Sequence, residues 1–192
     1  MYPSWRFVSL DTGKRLGKLQ GHTDVALNDI GILQANACAN FFNGAAYGLI
    51  VTSPLERAKQ TASIIAAKNK LPIVEMAHFL ERSYGDAEGL TVEERTIQFP
   101  NRQYRNQEAR EALIERVMQG IHQIQQQHPV KKVIVVTHGA VINSILAALS
   151  NNRIGSGKTK LANASLTIIR FVKRAWHIES FNHIAHLQPT YN

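Results

Sequence analysis

The chain has 192 residues, 44% of them hydrophobic, and carries 22 Lys and Arg against 14 Asp and Glu, which gives a net charge of +8. This length and apolar content are enough for one packed core, and we expect a single domain over residues 1–192. The sequence has neither the run of about 18 apolar residues typical of a membrane span nor a signal peptide, and its single cysteine, Cys38, excludes an internal disulfide, so we expect a cytoplasmic protein with no membrane partner.

The excess of positive charge favours anionic partners, which include phosphorylated metabolites and nucleic acids. A nucleic-acid-binding surface usually concentrates its basic residues in a stripe, often with interleaved aromatic residues. The basic residues of this chain are scattered, apart from Lys14, Arg15 and Lys18 and the run RIGSGKTK at 153–160. We therefore expect no nucleic-acid partner, although the charge alone does not choose among the anionic ones.

Short apolar runs alternate with longer segments of helical period, which indicates βαβ units around a mostly parallel sheet. The predicted strands are, in chain order, WRFVSL (5–10), GLIVTS (48–53), PIVEM (72–76), KVIVVT (132–137), SLTIIRF (165–171) and WHIESF (176–181). Only VKRA separates the last two runs, so these should form an antiparallel hairpin at an edge of the sheet.

Two segments between the strands have the spacing of amphipathic helices. In NDIGILQANACANFF (28–42), Asn28 is a candidate N-cap. The predicted core-facing stripe of this helix contains Ile30, Leu33, Ala37 and Phe41. The predicted core-facing stripe of EAREALIERVMQGIHQIQQQH (108–128) contains Leu113, Val117, Ile121 and Ile124. Cys38 lies within the first helix, where a buried, inert thiol is the expectation.

The segment VIVVTHGAVI (133–142) ends a buried strand with a titratable side chain, His138. A lone histidine in apolar sequence is more often a hydrogen-bonded core residue than a site residue. In open α/β sheets, however, ligands bind beyond the carboxyl ends of parallel strands, and Gly139 lets a ligand approach the backbone closely. His138 is therefore a candidate site residue that needs partners from other strand ends.

The segment GLIVTSPLERAKQTASIIA (48–66) has the same arrangement, because an apolar strand is followed by Thr-Ser-Pro and a helix with Arg57 in its first turn. The start of a helix offers backbone N–H groups, and a guanidinium there can bind phosphate oxygens in bidentate fashion. Taken alone, a surface arginine paired with Glu56 is the more ordinary interpretation.

A third candidate lies in LERSYGDAEGLT (80–91), which follows the predicted strand PIVEM. A carboxyl group held in such a loop, here Glu81, could donate a proton to a departing alkoxide if partial burial raised its pKa. By itself Glu81 is more simply read as a surface charge or an arginine partner. Three weak candidates in this order make a stronger signal than any one of them.

Taken in order, LQGHTDVALNDIGILQA, SPLERAKQTA, LERSYGDAEG and VVTHGAVI resemble the histidine phosphatase superfamily, also called phosphoglycerate mutase-like, and its small bacterial phosphatase branch most. The resemblance covers most of the chain, from Leu16 to the C-terminus. It implies an α/β fold of the flavodoxin-like, three-layer α/β/α type with a mostly parallel sheet. It also implies a phosphatase without a cofactor or metal, whose partner is a small phosphorylated substrate or inorganic phosphate.

The resemblance also implies roles for individual residues. The family's phosphate-binding arginine falls on Arg57, its proton-donor glutamate on Glu81 and its second, phosphate-contacting histidine on His138. The Gln-Gly pair that borders the family's substrate pocket falls on Gln20 and Gly21.

The family's nucleophile has no counterpart in this sequence. It is the histidine of an Arg-His-Gly triplet at the end of the first strand, which attacks phosphorus and forms a phosphohistidine that water then hydrolyses. Here Ser9, Leu10 and Asp11 hold the strand-end positions, and no histidine precedes His22. The stretch from these positions to Gln20 is also about two residues shorter than the resemblance implies.

Three interpretations of this difference remain open. In the first, catalysis is lost and the chain is a non-catalytic binder of phosphorylated ligands. In the second, Asp11 replaces the histidine through an aspartyl phosphate, although such enzymes usually need a divalent cation and no metal-ligand spacing is evident. In the third, Pro3-Ser4-Trp5-Arg6 is what the codons of an Arg-His-Gly motif give in a shifted reading frame, and the resemblance resumes at about Arg15.

Overall fold

The computed structural model describes residues 4–10, 17–129 and 131–187. The strands are β1 (Ser4–Leu10), β2 (Leu49–Thr52), β3 (Ile73–Glu75), β4 (Val133–His138), β5 (Leu166–Val172) and β6 (Ala175–His183). The α-helices are α1 (Asp29–Phe42), α2 (Glu56–Asn69), α3 (Val92–Gln98), α4 (Arg110–Gln127) and α5 (Gly139–Leu149). Among the helices of these ranges, none is both long and apolar enough to cross a bilayer.

The described strands form one sheet in the order β3-β2-β4-β1-β5-β6. The first four of these are mutually parallel, whereas β5 runs antiparallel to β1 and β6 antiparallel to β5. The predicted hairpin is therefore confirmed. Its two-residue turn consists of Lys173 and Arg174, both at positive φ (49° and 65°), as in the turns that match the twist of a hairpin.

Helices cover both faces of the sheet. Consecutive side chains of β4 therefore enter different cores. Val133 and Val135 pack with residues of α4 and α5, whereas Ile134 and Val136 pack with residues of α1 and α2. The predicted three-layer α/β/α fold class with a mostly parallel sheet is confirmed. The predicted core face of α4 is confirmed as well, since four side chains on it are at most 2% exposed: Leu113, Val117, Ile121 and Ile124.

The predicted core face of α1 is wrong for three of its four residues, whereas Ala37 is half-buried and packs against the core. Asn28 caps the helix as expected, because its side-chain oxygen accepts a hydrogen bond from the Gly31 N–H at 2.8 Å. However, Ile30, Leu33 and Phe41 are 51%, 46% and 42% exposed. The buried face of α1 instead carries Ala35, Cys38, Ala39 and Phe42. Mostly small side chains on this face let α1 approach α2 closely, so the larger apolar residues lie on the outside.

Cys38 is fully buried on the inner face of α1. Its Sγ lies 3.4 Å from His186 Nε2 and 3.7 Å from the Ala164 carbonyl oxygen. Burial raises the pKa of this thiol to about 12. Because the thiolate is the reactive form, Cys38 is inert at neutral pH, in agreement with the sequence-based expectation.

The orientation of α1 can be tested with one chemical change made on two helices. Leu113→Ala on α4 removes a side chain that is 2% exposed and should lower the free energy of unfolding by about 2–5 kcal/mol. Leu33→Ala on α1 should lower it by less than about 1 kcal/mol, because the side chain is already in contact with solvent. Urea unfolding of the parent and both variants measures the difference. Equal losses would contradict the assigned face of α1.

Candidate active site

The candidate site lies at the carboxyl edge of the parallel strands, where β2 and β4 end side by side. His138 is the last residue of β4, Ser53 follows β2, and both are fully buried. His138 Nε2 lies 2.8 Å from Ser53 Oγ. A hydroxyl can donate to an unprotonated ring nitrogen or accept from a protonated one, so this bond positions the imidazole in either case.

Glu81 reaches the same edge from the loop that follows β3. Its Oε2 accepts a hydrogen bond from the Ala140 N–H at 3.3 Å, in the first turn of α5, and its Oε1 accepts from the Arg82 N–H at 2.8 Å. The amides and dipole at a helix N-terminus stabilise a carboxylate placed there. The structure therefore brings Glu81 to the start of the helix that His138 precedes.

Arg57 lies in the first turn of α2 and is only 1% exposed. Its Nη1 donates to the Thr23 carbonyl oxygen at 3.0 Å and its Nη2 donates to the Gly21 carbonyl oxygen at 2.9 Å. A buried guanidinium is unfavourable unless its donors are bonded, and these carbonyl groups supply acceptors. The two bonds place Arg57 beside the turn that contains Gln20 and Gly21.

His22 and Glu88 join this turn to the loop that carries Glu81. His22 Nε2 lies 2.7 Å from the Glu81 carbonyl oxygen. The Glu88 carboxylate accepts from the His22 N–H at 3.0 Å and from the Tyr84 N–H at 2.8 Å. Four segments that are distant in sequence, residues 20–23, 53–57, 81–88 and 138–140, are thus connected by hydrogen bonds.

The backbone N–H groups expected to bind phosphate at the helix starts already have partners within the chain. At α2, Glu56 N–H donates to Asp24 Oδ1 at 2.6 Å and Leu55 N–H donates to Ser53 Oγ at 3.3 Å. At α5, the Ala140 N–H donates to Glu81. Side chains of the chain itself therefore accept hydrogen bonds from these three amides at the two helix starts.

Comparison with known proteins decides the family. The sequence model of the histidine phosphatase superfamily (branch 1) matches residues 11–184. The chain belongs to this superfamily. It is 44% identical over 170 residues to PhoE, an uncharacterized phosphatase of Bacillus subtilis, with 88% of each chain covered. It is 30% identical over 190 residues to a metal-independent phosphoserine phosphatase of Arabidopsis thaliana, with 92% of this chain and 79% of the relative covered. The family and these relatives support a phosphatase.

Solved structures of low sequence identity share the fold. YhfR of Bacillus stearothermophilus superposes with a TM-score of 0.89 at 21% identity, over 97% of this chain and all of that one (100%). A mycobacterial glucosyl-3-phosphoglycerate phosphatase in complex with inorganic phosphate superposes with a TM-score of 0.83 at 21% identity, over 97% and 99% of the two chains. The resemblance to the phosphoglycerate mutase-like fold is confirmed.

The histidine phosphatase match begins at residue 11 and leaves β1 outside it. In the sheet, β1 pairs with β4 so that Ser9 lies opposite Thr137 and Leu10 opposite His138. The backbone position that ends β1 beside His138 is therefore occupied by leucine. Asp11, the alternative nucleophile, lies outside the described residues. The shifted-frame interpretation concerns Pro3-Ser4-Trp5-Arg6. Of these residues Ser4 is the first residue of β1, whereas Leu10 is its last.

Sequence reasoning missed three residues that organise this site: Ser53, Asp24 and Glu88. Ser53 could have been found, because it follows β2 as Gly139 follows β4, and parallel strand ends meet at one edge. No local pattern predicts that Asp24 caps α2 or that Glu88 binds the His22 amide. Within residues 4–10, 17–129 and 131–187, no group of three or more His, Cys, Asp or Glu could hold a metal ion.

Gly21 offers a test of the connection between the loops. It has a φ of +53°, and a Cβ there would overlap the Glu88 carboxylate, which accepts two backbone N–H groups. Gly44 also has a positive φ (+78°), but a Cβ there would meet nothing within 4 Å. We expect Gly44→Ala to lower stability by about 1–2 kcal/mol, from backbone strain alone. Gly21→Ala should lower stability more than Gly44→Ala, because the hydrogen bonds of Glu88 must also break. Urea unfolding measures both losses. Equal losses would contradict the connection that Glu88 makes between the two loops.

Proposed function

We propose that this edge of the sheet binds the phosphoryl group of small phosphomonoesters, with Arg57 and His138 as contacts and Glu81 beside the leaving group. The placement of these side chains around the ends of β2 and β4 supports the proposal. So does the position of Gln20 and Gly21, whose turn is bonded to the Arg57 guanidinium. The proposed ligand also agrees with the positive net charge of +8.

Each proposed role follows from the chemistry of the group. A guanidinium is planar and permanently charged, and it matches the oxygens of a phosphate in bidentate fashion. A ring N–H of His138 adds a second donor to the phosphoryl oxygens. Two backbone N–H groups donate to the Glu81 carboxylate, so Glu81 would first have to take up a proton, which it would then transfer to the departing alkoxide oxygen. Gln20 and Gly21 would border the substrate.

The hydrolysis itself is impaired in this chain, because leucine ends β1. The observation that carries this inference is the pairing of Leu10 with His138 across β1 and β4. Leucine has no nucleophilic atom, so the two-step route through a covalent phosphoenzyme is closed at this position. Preorganised donors remain, and they would stabilise charge on the phosphoryl oxygens without providing the attacking group.

The same observation favours a second candidate function, binding of phosphorylated ligands without turnover. The two candidates share the phosphate contacts and differ only in the rate of hydrolysis. The names of relatives suggest the size of the ligand: a metal-independent phosphoserine phosphatase and a phosphoglycerate mutase-like protein, both of Arabidopsis thaliana and 30% and 31% identical to this chain. We therefore expect metabolite-sized phosphate esters rather than phosphorylated proteins.

Phosphate binding can be tested without catalysis. We expect the parent protein to bind inorganic phosphate, and Arg57→Ala to weaken the affinity about 10- to 100-fold through loss of charge-assisted hydrogen bonds. Calorimetry measures both affinities. Arg57→Lys should give an intermediate value, because an ammonium keeps the charge and loses the bidentate geometry.

The matched control is Arg170→Ala, which removes the same charge from an exposed ion pair with Glu179 on the β5–β6 hairpin. It should leave phosphate affinity within about twofold of the parent. Urea unfolding shows whether each variant is folded. Equal phosphate affinity in the parent and in folded Arg57→Lys and Arg57→Ala would refute Arg57 as a phosphate contact.

Catalysis should return when the N-terminus is replaced. The unmodified chain is expected to hydrolyse an aryl phosphate slowly and to form no acid-labile phosphohistidine. We expect a hybrid in which residues 1–14 are exchanged for the first strand and loop of an active superfamily member to gain about a thousandfold or more in kcat/KM. Arg57, Glu81 and His138 stay unchanged in the hybrid.

The control is the same hybrid with alanine in place of the introduced histidine, which should be as slow as the unmodified chain. Trapping of radiolabelled phosphohistidine in the first hybrid and not in the second would identify the covalent route. Rapid, metal-independent turnover by the unmodified chain would contradict the proposal that Leu10 impairs it.

A further inference from the structure

The amino edge of the parallel strands, opposite the candidate site, collects basic residues from segments that are distant in sequence. The chain reaches this edge after α1, α2, α4 and α5 and again in the turn between β5 and β6. The five segments there are 43–48, 68–72, 128–132, 149–153 and 172–175, and they contain no Asp or Glu. Their basic residues, together called the basic face, are Lys68, Lys70, Lys131, Lys132, Arg153, Lys173 and Arg174. Charges that are scattered in the sequence are thus gathered by the fold.

Strand pairing places these segments at one level. Lys131 and Lys132 directly precede β4, and β1 begins beside the start of β4. β5 ends opposite the start of β1, so the Lys173–Arg174 turn extends beyond the same edge. Lys70 precedes β3, which begins beside the parallel strand β2. Neighbouring strands are about 4.8 Å apart, so the charges from β3 to this turn span about 20 Å.

The carboxyl edge of the sheet has the opposite charge. Asp29, Glu56 and Glu111 lie in the first turns of α1, α2 and α4. Glu81 and Glu88 lie in the loop after β3, also at this edge. The chain is therefore polarised along the strand direction. An anionic partner of the basic face would be separate from the ligand of the candidate site.

Helix ends explain only part of the basic face. Cations are favoured near helix C-termini, and Lys68 lies in the last turn of α2 with Lys70 as its C-cap. The last turns of α1, α4 and α5 have no basic residue. Lys131 and Lys132 follow α4 by several residues, and the β5–β6 turn belongs to no helix. Their charges need a different reason.

The β5–β6 turn has charged residues where its backbone favours others. Lys173 and Arg174 both have positive φ (49° and 65°), a conformation that asparagine and glycine adopt more easily. Both side chains are exposed. Long, charged side chains at exposed positions of this conformation fit a role for the charge in binding.

The charges of the basic face are available to a partner. Among the residues that the structure describes, ion pairs involve four other cations, which are Lys59, Arg105, Arg116 and Arg170. The hydrogen bonds that Lys68 and Arg153 donate go to neutral groups, the Asn40 side-chain oxygen and the Ser150 carbonyl oxygen. The positive charge of the face is therefore not neutralised by carboxylates in these ion pairs.

The arrangement of the charges favours a broad, flat partner. They come from all three layers of the fold, since Lys68 belongs to α2, Lys131 to the sheet edge and Arg153 to the segment after α5. A nucleic-acid-binding surface more often has a basic stripe with exposed aromatic rings that stack on bases. The aromatic residue of these segments, Tyr47, is instead half-buried with the Arg6 guanidinium 5.7 Å from its ring centroid. Among their described residues no large hydrophobic side chain is exposed, so charge rather than insertion would hold the partner.

We propose that the basic face is an electrostatic docking surface for a membrane that contains anionic lipids. Anionic headgroups form a plane of negative charge, and each Lys or Arg near it contributes about fivefold to affinity. The protein would lie on the bilayer without entering it, with the candidate site toward the solution. The sequence-based expectation of no membrane partner rested on the absence of an apolar span, which surface binding does not need. This inference does not depend on the proposed function.

Vesicle co-sedimentation tests the proposal. The probes are vesicles of phosphatidylcholine alone and of phosphatidylcholine with about one-third phosphatidylserine. At low ionic strength we expect the parent protein to bind only the anionic vesicles, and salt at about 1 M should release it, because charges are then screened within about 3 Å. The double variant Lys131→Gln, Lys132→Gln should bind about 25-fold more weakly. Lys173→Asn, Arg174→Gly should lose as much affinity without losing stability, because Asn-Gly suits this turn.

The matched control is Arg102→Gln, Arg105→Gln, which removes two charges from the loop that contacts Asp86 near the other edge. Its affinity for anionic vesicles should stay within about threefold of the parent. Equal losses in the control and in the face variants would show that net charge alone acts, and would refute the docking surface. Equal binding to both kinds of vesicle, or to neither, would also refute it. If the parent instead binds duplex RNA or DNA and the face variants lose that binding, the partner is a nucleic acid and the lipid proposal is wrong.

Discussion

The alignment of three parallel strand ends is the constraint on which the rest of the site depends. β1, β2 and β4 end at one edge of the sheet, and their last residues or the residues that follow them are Leu10, Ser53 and His138. Side chains of β4 alternate between two cores, so a slip of one residue in its pairing would exchange both cores and turn His138 away from Ser53. The same packing that stabilises the sheet therefore fixes the imidazole. It also fixes which residue stands opposite it, and in this chain that residue is a leucine.

Hydrogen bonds between loops hold the remaining parts of the site at this edge of the sheet. Arg57 is buried and holds the carbonyl groups of Gly21 and Thr23, and Glu88 binds the amide of His22, so the turn at residues 20–23 is attached to both α2 and the loop after β3. Side chains also cap the helix starts that face this edge, since Asp24 binds the first turn of α2 and Glu81 binds the first turn of α5. The Glu56 and Ala140 amides at the two helix starts are thus bonded within the chain. The candidates for binding an anion are therefore the side chains of Arg57 and His138.

Much of the fold could be predicted from local pattern, because each element has a period that its sequence repeats. β4 is a run of β-branched residues, and the apolar stripe of α4 meets a single core, so both were predicted correctly. α1 has apolar residues on two faces, and its inner face is marked by small residues such as Ala35 and Ala39. Periodicity weights large side chains and therefore selected the outer face, whereas close packing against α2 depends on the small ones.

The candidate site shows the same division between local and long-range information. His138 and Arg57 stand at the junctions of strands and helices, which a sequence reveals. The partners that hold them are set by contacts across the chain, such as Arg57 with Gly21, His22 with Glu81 and Leu10 with His138. These contacts leave no periodic signal in the sequence. The sequence shows that the Arg-His-Gly motif is absent. The pairing of β1 with β4 adds that leucine is the residue of β1 that lies opposite His138.

The most direct test of this account is a crystal structure of the unmodified protein with inorganic phosphate bound. The account predicts that the phosphate lies within hydrogen-bonding distance of Arg57 and His138, and that it faces the end of β1 where Leu10 is paired with His138. A phosphate bound elsewhere with this edge of the sheet empty, or a first strand whose last residue does not lie opposite His138, would contradict it.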